Sequence, residues 1–100
     1  MVKSLVVVWN KVAESSLKKA YQRVKEESLQ NAEKVRDEIL AATRELTDHP
    51  EKYPPDKFKS QNPGTHRGFE MYSYRIAYRT TKKEVRILRM RHVKQEPKMY

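Results

Sequence analysis

The spacing of hydrophobic positions changes twice along the chain and divides it into three kinds of segment. Residues 5–9 are mainly β-branched or aromatic and predict a short buried strand. From residue 11, apolar side chains recur every three or four positions, which is typical of amphipathic helices. From residue 67, apolar and polar positions alternate, as they do in half-buried strands.

Two helices are predicted in the middle segment. Asn10 can cap the first helix, residues 28–31 interrupt the pattern, and Asn31 can cap the second. The second helix should end before Pro50, because the residue before a proline avoids the helical region. A short break between two amphipathic helices predicts an antiparallel hairpin. The apolar stripe of the second helix consists of Ala32, Val35, Ile39, Ala42 and Leu46.

The remainder of the chain predicts a proline-rich connection and three strands. Residues 50–65 hold four of the five prolines and should form an irregular connection, held down by Tyr53 and Phe58. The alternation in the last strand slips at Leu88, which indicates either a fully buried middle or a β-bulge. We therefore expect an α+β fold of order β-α-α-β-β-β. An antiparallel meander is joined by the first strand, and the helical hairpin covers one face of this sheet.

Positive charge is concentrated in the last third of the sequence. The net charge is +9, and residues 64–100 hold ten Lys/Arg against three Asp/Glu. A one-sided basic block favours an anionic partner such as RNA, DNA or an acidic protein segment. Solubility alone is the alternative explanation, although a charge excess spread along the whole chain would suit it better.

Composition narrows the classes of function. The length suits one small domain, residues 1–100, and the lack of cysteine excludes disulfide scaffolds and cysteine nucleophiles. We see no signal peptide and no apolar run that could span a membrane, so we expect a soluble cytoplasmic protein without a membrane partner. The histidines lack metal-ligand spacing and no Gly-rich phosphate loop is present. We therefore expect no metal and no cofactor.

Arginines are the main candidates for chemistry. Arg75 stands in the middle of its predicted strand, and Arg91 lies on the neighbouring one. Guanidinium groups can grip a phosphate and stabilise charge that develops in a transition state. A solvated face paired with acids is the alternative, but few acids are near in the sequence. The predicted nucleic-acid-binding residues are Arg67, Arg79, Arg86, Arg89, Lys94 and Lys98.

Three further residues are candidates for a catalytic role. His92, beside Arg91, could be a general acid or base, or could close its strand with an ordinary hydrogen bond. Tyr100, the last residue of the sequence, could stack on a base, pack across the sheet or lie disordered. Glu70 could be a general base, although an ion pair with a neighbouring arginine is the commoner role for such a residue.

The C-terminal strands resemble those of a known family. YRIAYR at residues 74–79, a polar turn and VRILRMRH at residues 85–92 look like the C-terminal meander of RelE/ParE superfamily toxins. The tail at residues 93–100 is also similar to theirs, and the preceding β-α-α order matches their fold. The resemblance implies the toxin of a type II toxin–antitoxin pair, which a cognate antitoxin wraps and silences.

Within this superfamily, RelE-like toxins enter the ribosome and cleave mRNA. In these toxins the RNA 2′-hydroxyl attacks the adjacent phosphate, aided by an acid, a base and arginines. The resemblance makes Arg75 and Arg91 the groups at the phosphate, His92 the acid and Tyr100 the stacking residue. The lysine-rich strand of some RelE members is replaced by Gly68-Phe69-Glu70, where Glu70 could be the base.

ParE-like toxins instead inhibit DNA gyrase and are not nucleases. The long hairpin, from NAEKV at residues 31–35 to LTDHP at residues 46–50, looks like theirs, and so does R-x-x-H at residues 89–92. The sequence favours ribosome-dependent mRNA cleavage, because four residues together would make a site: Arg75, Arg91, His92 and Tyr100. Gyrase inhibition is the alternative, and a non-toxic basic RNA-binding module is a third interpretation. A toxin should receive an acidic, amphipathic antitoxin segment on the hairpin or on the arginine-bearing face.

Overall fold

The computed structural model describes residues 5–95 and 99–100. The elements are β1 (Val6–Trp9), α1 (Lys11–Lys25), α2 (Leu29–Glu45), β2 (His66–Met71), β3 (Tyr74–Thr80) and β4 (Glu84–His92). Helices α1 and α2 pack against each other, and α1 also packs on β4, so the hairpin covers one face of the sheet. The predicted α+β fold and its element order are therefore confirmed.

The four strands form one mixed sheet in the order β1-β4-β3-β2. Strand β1 runs parallel to β4, while β2, β3 and β4 form an antiparallel meander. The first strand thus joins the sheet at its far edge, beside the last strand. Within the described residues, no helix combines the length and apolar character that crossing a membrane requires.

The core lies between the hairpin and the sheet. Its helical side comes from the predicted stripe, in which Ala32, Ile39 and Leu46 are fully buried. The sheet contributes alternate positions, because successive strand residues point to opposite faces. The fully buried sheet residues are Ile76, Tyr78, Val85 and Ile87.

A β-bulge explains the slip in the last strand. Ala77 pairs with Arg89 and Tyr78 pairs with Ile87, so Leu88 is an extra residue without a partner in β3. The bulge returns Met90 to the core face and sends the arginines on either side of it to the opposite face. Of the two explanations that the sequence left open, the bulge is the correct one.

Two local expectations were wrong, and a third was right in position only. Strand β1 is a sheet edge and not a buried strand, since Val6 is 58% exposed. Helix α2 is capped by Ser28, whose side chain accepts a hydrogen bond from the Asn31 N–H, so Asn31 lies inside the helix. Asn10 does occupy the N-cap position of α1, but its side chain makes no capping bond, and its Oδ1 accepts a hydrogen bond from Arg86 Nη1 at 2.8 Å.

The proline-rich connection crosses from one face of the sheet to the other. On the helix side, the Tyr53 ring stacks on Phe69 at 4.4 Å, and Tyr78 Oη donates to the Pro50 carbonyl at 2.9 Å. A bridge between Pro55 and Arg67 then carries the chain past the edge strand β2. The residues that follow therefore lie on the sheet face away from the helices.

Candidate functional site

Five arginines line the sheet face opposite the helices, and we name this surface the arginine face. In the register of β3 and β4, Arg75 lies beside Arg91 and Arg79 lies beside Arg86, while Arg89 pairs with Ala77. Cross-strand partners project to the same side of a sheet, so these five side chains share one surface.

Part of this face is covered by two segments that pair with each other. The Ser60 N–H donates to the Tyr100 backbone oxygen, and the Tyr100 N–H donates to the Phe58 carbonyl at 3.0 Å. Lys59 Nζ adds a hydrogen bond of 3.1 Å to the same Tyr100 oxygen. We name residues 56–60 with Tyr100 the latch. It lies over the arginines of β3 and β4.

The Asp56 carboxylate is the centre of the latch. Its Oδ1 accepts hydrogen bonds from Arg75 Nη2 at 2.8 Å and from the Phe58 N–H at 3.1 Å. Its Oδ2 accepts a hydrogen bond from Tyr100 Oη at 2.6 Å. The carboxylate is almost completely buried, with 1% of the side chain exposed, and the Arg75 side chain is 12% exposed. The pair is therefore a buried, charge-assisted contact and not a solvated one.

Two aromatic rings complete the enclosure. The guanidinium carbons of Arg75 and Arg91 each lie 5.0 Å from the Phe58 ring centroid. The Arg89 guanidinium carbon lies 4.3 Å from the Tyr100 ring centroid. These distances are within the range of cation–π contacts. The aromatic side chains of the latch therefore lie against three of the five arginines.

Gly68 gives Arg75 the room to reach Asp56. A Cβ atom at this position would lie 2.8 Å from Arg75 Nη2 and 3.3 Å from the Ile76 carbonyl oxygen. Any other residue would therefore require the guanidinium to move away from its place above β2.

Two pKa shifts follow from the enclosure. Burial raises the pKa of the Asp56 carboxyl, but hydrogen bonds from Tyr100, Arg75 and the Phe58 N–H outweigh it, so the pKa lies below 3.8. Burial, followed by the hydrogen bond to Asp56 and its charge, raises the pKa of the Tyr100 hydroxyl. Near neutral pH, Asp56 is therefore an anion and Tyr100 a neutral donor.

The enclosed space is too small for a ligand. The cavity that Asp56, Phe58, Arg75 and Tyr100 line together with β4 has a volume of about 10 Å³. This is about the space that one water molecule needs, far below that of a phosphate group. Arg75 and Tyr100 thus share one cluster, as a nuclease site would require, but that cluster is occupied by Asp56.

His92 lies on the other side of the sheet. It pairs with Tyr74, whose ring belongs to the core, and the two rings meet edge-to-face at 5.3 Å. Its Nδ1 accepts a hydrogen bond from the Lys94 N–H at 3.1 Å. The structure therefore separates His92 from Arg75 and Arg91, which project from the opposite face.

Of the other candidate residues, three make contacts that differ from one another. Glu70 Oε2 lies 3.5 Å from Arg75 Nη1, as an exposed ion-pair partner. Arg86 Nε donates a hydrogen bond of 2.7 Å to Glu84 Oε2 and so forms an ion pair. Arg67 pairs with Tyr78 on the helix side, where its Nη1 donates to the Tyr53 carbonyl at 2.7 Å.

The remaining residues that were predicted to bind nucleic acid do not lie together in one site. Arg79 lies beside Arg86, and its Nε is buried without a hydrogen-bond partner among the described residues. Lys94 is exposed. Lys98 lies outside the described residues. No group of three or more potential metal ligands occurs in the part of the chain that the structure describes.

Two residues of this cluster, Asp56 and Gly68, were not predicted from the sequence to belong to it. Asp56 lies in an irregular segment without periodicity, 19 positions from its arginine partner. The only available signal was that Phe58, two residues later, was expected to hold this segment down. We expected few acids near the arginines because few lie close to them in the sequence, and Asp56 is far from Arg75 along the chain.

A second surface feature lies on the helical hairpin. Leu17 and Tyr21 of α1 and Arg36 of α2 line an open groove of about 340 Å³, together with three polar residues of α1. The Arg36 guanidinium carbon lies 5.1 Å from the Tyr21 ring centroid. Unlike the latch cavity, this groove has the volume to receive a side chain from a partner.

The architecture is that of a RelE/ParE superfamily toxin. A family model described as "ParE toxin of type II toxin-antitoxin system, parDE" matches residues 7–97, and the chain belongs to this family. It is therefore the toxin of a type II toxin–antitoxin system and has a cognate antitoxin as its partner.

A solved structure supports the fold. The chain is similar to a protein chain described as "Chromosomal ParDE TA system from P. aeruginosa", with a TM-score of 0.69 and 21% sequence identity. The similarity covers 89% of this chain and 96% of that chain. A search among curated proteins gave no match.

Proposed function

We propose that this toxin arrests bacterial growth by inhibiting DNA gyrase and that it does not cleave mRNA. The main observation behind the proposal is the ion pair between the Asp56 carboxylate and the Arg75 guanidinium. The carboxylate lies where a scissile phosphate would have to bind. The ParE family match supports the same conclusion, since gyrase inhibition is the activity that resemblance to ParE-like toxins implies. The sequence favoured mRNA cleavage, and we replace that expectation with its alternative, gyrase inhibition.

The position of His92 supports the proposal independently. A general acid has to lie within hydrogen-bond reach of the group that it protonates. His92 packs against Tyr74 on the helix side, whereas Arg75 and Arg91 project from the other side. A phosphate bound by these arginines would therefore be out of reach of the imidazole.

The test measures both activities on the same purified protein. Supercoiling by purified gyrase is titrated with the toxin, and ribosomes translating a defined mRNA are treated with the same concentrations before primer extension. We expect inhibited supercoiling and intact mRNA. Message cut within translated codons while gyrase stays active would overturn the proposal.

Matched variants connect each outcome to residues. Arg91→Ala leaves the Arg75–Asp56 pair in place, and His92→Ala removes the imidazole. We expect both variants to inhibit gyrase as the wild type does. Cleavage of mRNA that is lost in both variants would restore the nuclease interpretation.

We further propose that the antitoxin lays an acidic, amphipathic segment into the groove of Leu17, Tyr21 and Arg36. The arginine face was the other predicted place, but the latch already covers part of it. Lys18, Arg36 and one acid, Glu14, line the groove, and Lys25 Nζ lies 6.0 Å from the Tyr21 ring centroid, so the charge around the groove is mainly positive. An apolar floor with a basic rim favours a helix that has one apolar and one acidic face.

The docking site is tested by binding of the antitoxin encoded beside this gene. Tyr21→Ala should weaken binding by about tenfold, because it removes the largest apolar side chain of the groove. Val12→Ala, an exposed apolar position of the same helix outside the groove, should have little effect. Binding should also weaken as salt rises. Equal affinities for the two variants would exclude this groove.

A further inference from the structure

The donor groups around Asp56 form an anion-binding site. The Arg75 guanidinium, the Tyr100 hydroxyl and the Phe58 N–H all donate to its two carboxylate oxygens. Three donors that converge on one small anion are the arrangement by which proteins bind phosphate. In this chain, the bound anion is part of the protein itself.

Positive charge around this anion exceeds what Asp56 alone can neutralise. Arg91 lies beside Arg75 in the sheet, and its Nη1 donates to the backbone carbonyls of His92 and Gln95 at 3.4 and 3.0 Å. Among the described residues, Arg91 makes no ion pair. Glu70, the second carboxylate near Arg75, is 54% exposed and lies 3.5 Å away, so it contributes little.

We propose that the arginine face holds a latent site for the phosphate groups of single-stranded nucleic acid, and that the Asp56 carboxylate masks this site as an internal substitute for phosphate. Opening of the latch exposes Arg75 and Arg91 to a backbone phosphate. The same movement frees the rings of Phe58 and Tyr100, on which bases can stack. The site binds without cleaving, and it is separate from gyrase inhibition.

The latch is built so that it can open without unfolding the sheet. Residues 56–60 belong to no helix or strand, and Lys57 and Ser60 are exposed. Two backbone hydrogen bonds, one from Lys59 and one from the Tyr100 hydroxyl to Asp56 connect this segment to Tyr100. None of the sheet ladders passes through these residues. The opening therefore breaks the Asp56–Arg75 pair and the contacts of Tyr100 but leaves the hydrogen bonds of the sheet intact.

The first experiment compares Asp56→Asn with the wild type. Binding of a fluorescein-labelled single-stranded RNA of about 12 nucleotides is followed by anisotropy. Asp56→Asn keeps the shape of the side chain and removes its charge. We expect affinity to rise about tenfold or more, the effect of one added charge-assisted contact. The slope of log K against log salt should steepen by about 0.7 for each added phosphate contact.

Three controls separate masking from a general change of charge. Asp48→Asn makes the same charge change at an exposed site, so its gain in affinity should be small. Adding Arg75→Ala to Asp56→Asn should remove the gain. DNA of the same base sequence shows whether the backbone phosphate or the RNA 2′-hydroxyl is recognised. Equal gains for Asp56→Asn and Asp48→Asn would overturn the proposal.

Two measurements keep the test decisive if Asp56→Asn does not fold. Tyr100→Phe removes the hydroxyl that donates to Asp56 but keeps the ring, so it loosens the latch without a charge change and should gain affinity, whereas Tyr72→Phe, at an exposed tyrosine, should not. In the wild type, saturating RNA should speed hydrogen exchange at the Ser60 and Tyr100 amides, which hold the latch closed. Unchanged exchange at these amides when RNA is bound would contradict the proposal.

Discussion

At the scale of the residue, Asp56 determines the state of the arginine face. Both of its carboxylate oxygens are hydrogen-bonded, and its backbone N–H donates to the His66 carbonyl at 2.8 Å. Removing one partner of a buried ion pair typically costs about 3–5 kcal/mol, because the other charge stays buried and unpaired. Loss of Asp56 or Arg75 alone should therefore remove a large fraction of the stability of this small protein.

The free energy of unfolding should depend on pH through the ionisation of the Asp56 carboxyl. The pKa of Asp56 is lowered in the folded state, so its contribution is present above pH 3.8 and is lost as the pH falls through the folded pKa. Urea unfolding of the wild type should therefore show stability falling below pH 3.8. Asp56→Asn should lack this part of the acid decline, and Asp48→Asn should retain it. An identical pH profile for the wild type and Asp56→Asn would contradict the buried pair.

Gly68→Ala tests the close approach of Arg75 to β2. The added Cβ would lie 2.8 Å from Arg75 Nη2, so we expect a destabilisation of about 1–3 kcal/mol, typical of overpacking. In an Arg75→Ala background most of this cost should disappear, since the clashing group is absent. A double-mutant cycle by urea unfolding measures the difference. Strict additivity would show that Gly68 is required for another reason.

At the scale of the element, the N-terminus of α2 depends on one capping side chain. Ser28 Oγ accepts a hydrogen bond of 3.1 Å from the Asn31 N–H. Ser28→Ala should cost about 1 kcal/mol of unfolding free energy, as is usual for loss of an N-cap. Ser15→Ala, at an exposed position inside α1, should change stability by less than about 0.5 kcal/mol. Equal effects of the two substitutions would exclude the cap.

The sequence predicted the elements because each one has a clear periodicity. The stripe from Ala32 to Leu46 and the alternation around Ile76 both follow from burial on a single face. Boundaries were less certain, since Ser28 and Asn31 are both good caps and only the geometry chooses between them. The burial of β1 was overestimated because a parallel edge strand and a central strand show similar apolar runs.

The candidate site was predictable only in part. The arginines of β3 and β4 share a face because strand alternation dictates it, and the same rule places His92 on the other face. Asp56 could not be predicted, since a loop without periodicity brings it across 19 positions of sequence to Arg75. The sequence located the positive charge but not the anion that occupies it.

At the scale of the whole molecule, net charge and an available binding site are distinct properties. Residues 64–100 carry most of the excess of +9, yet several of their guanidinium groups lie against the latch or in ion pairs. Lys18, Lys25 and Arg36 lie instead at the hairpin groove. The two surfaces therefore have different proposed roles: the hairpin receives the antitoxin, and the arginine face is closed by the chain itself.

We propose that this toxin acts on gyrase while its arginine face stays closed. The most direct test is a titration of purified gyrase supercoiling with the wild type and with Arg91→Ala, whose guanidinium is part of the closed face but not of the Arg75–Asp56 pair. We expect both proteins to inhibit supercoiling at the same concentration. Supercoiling that is unaffected by excess wild-type toxin would contradict it.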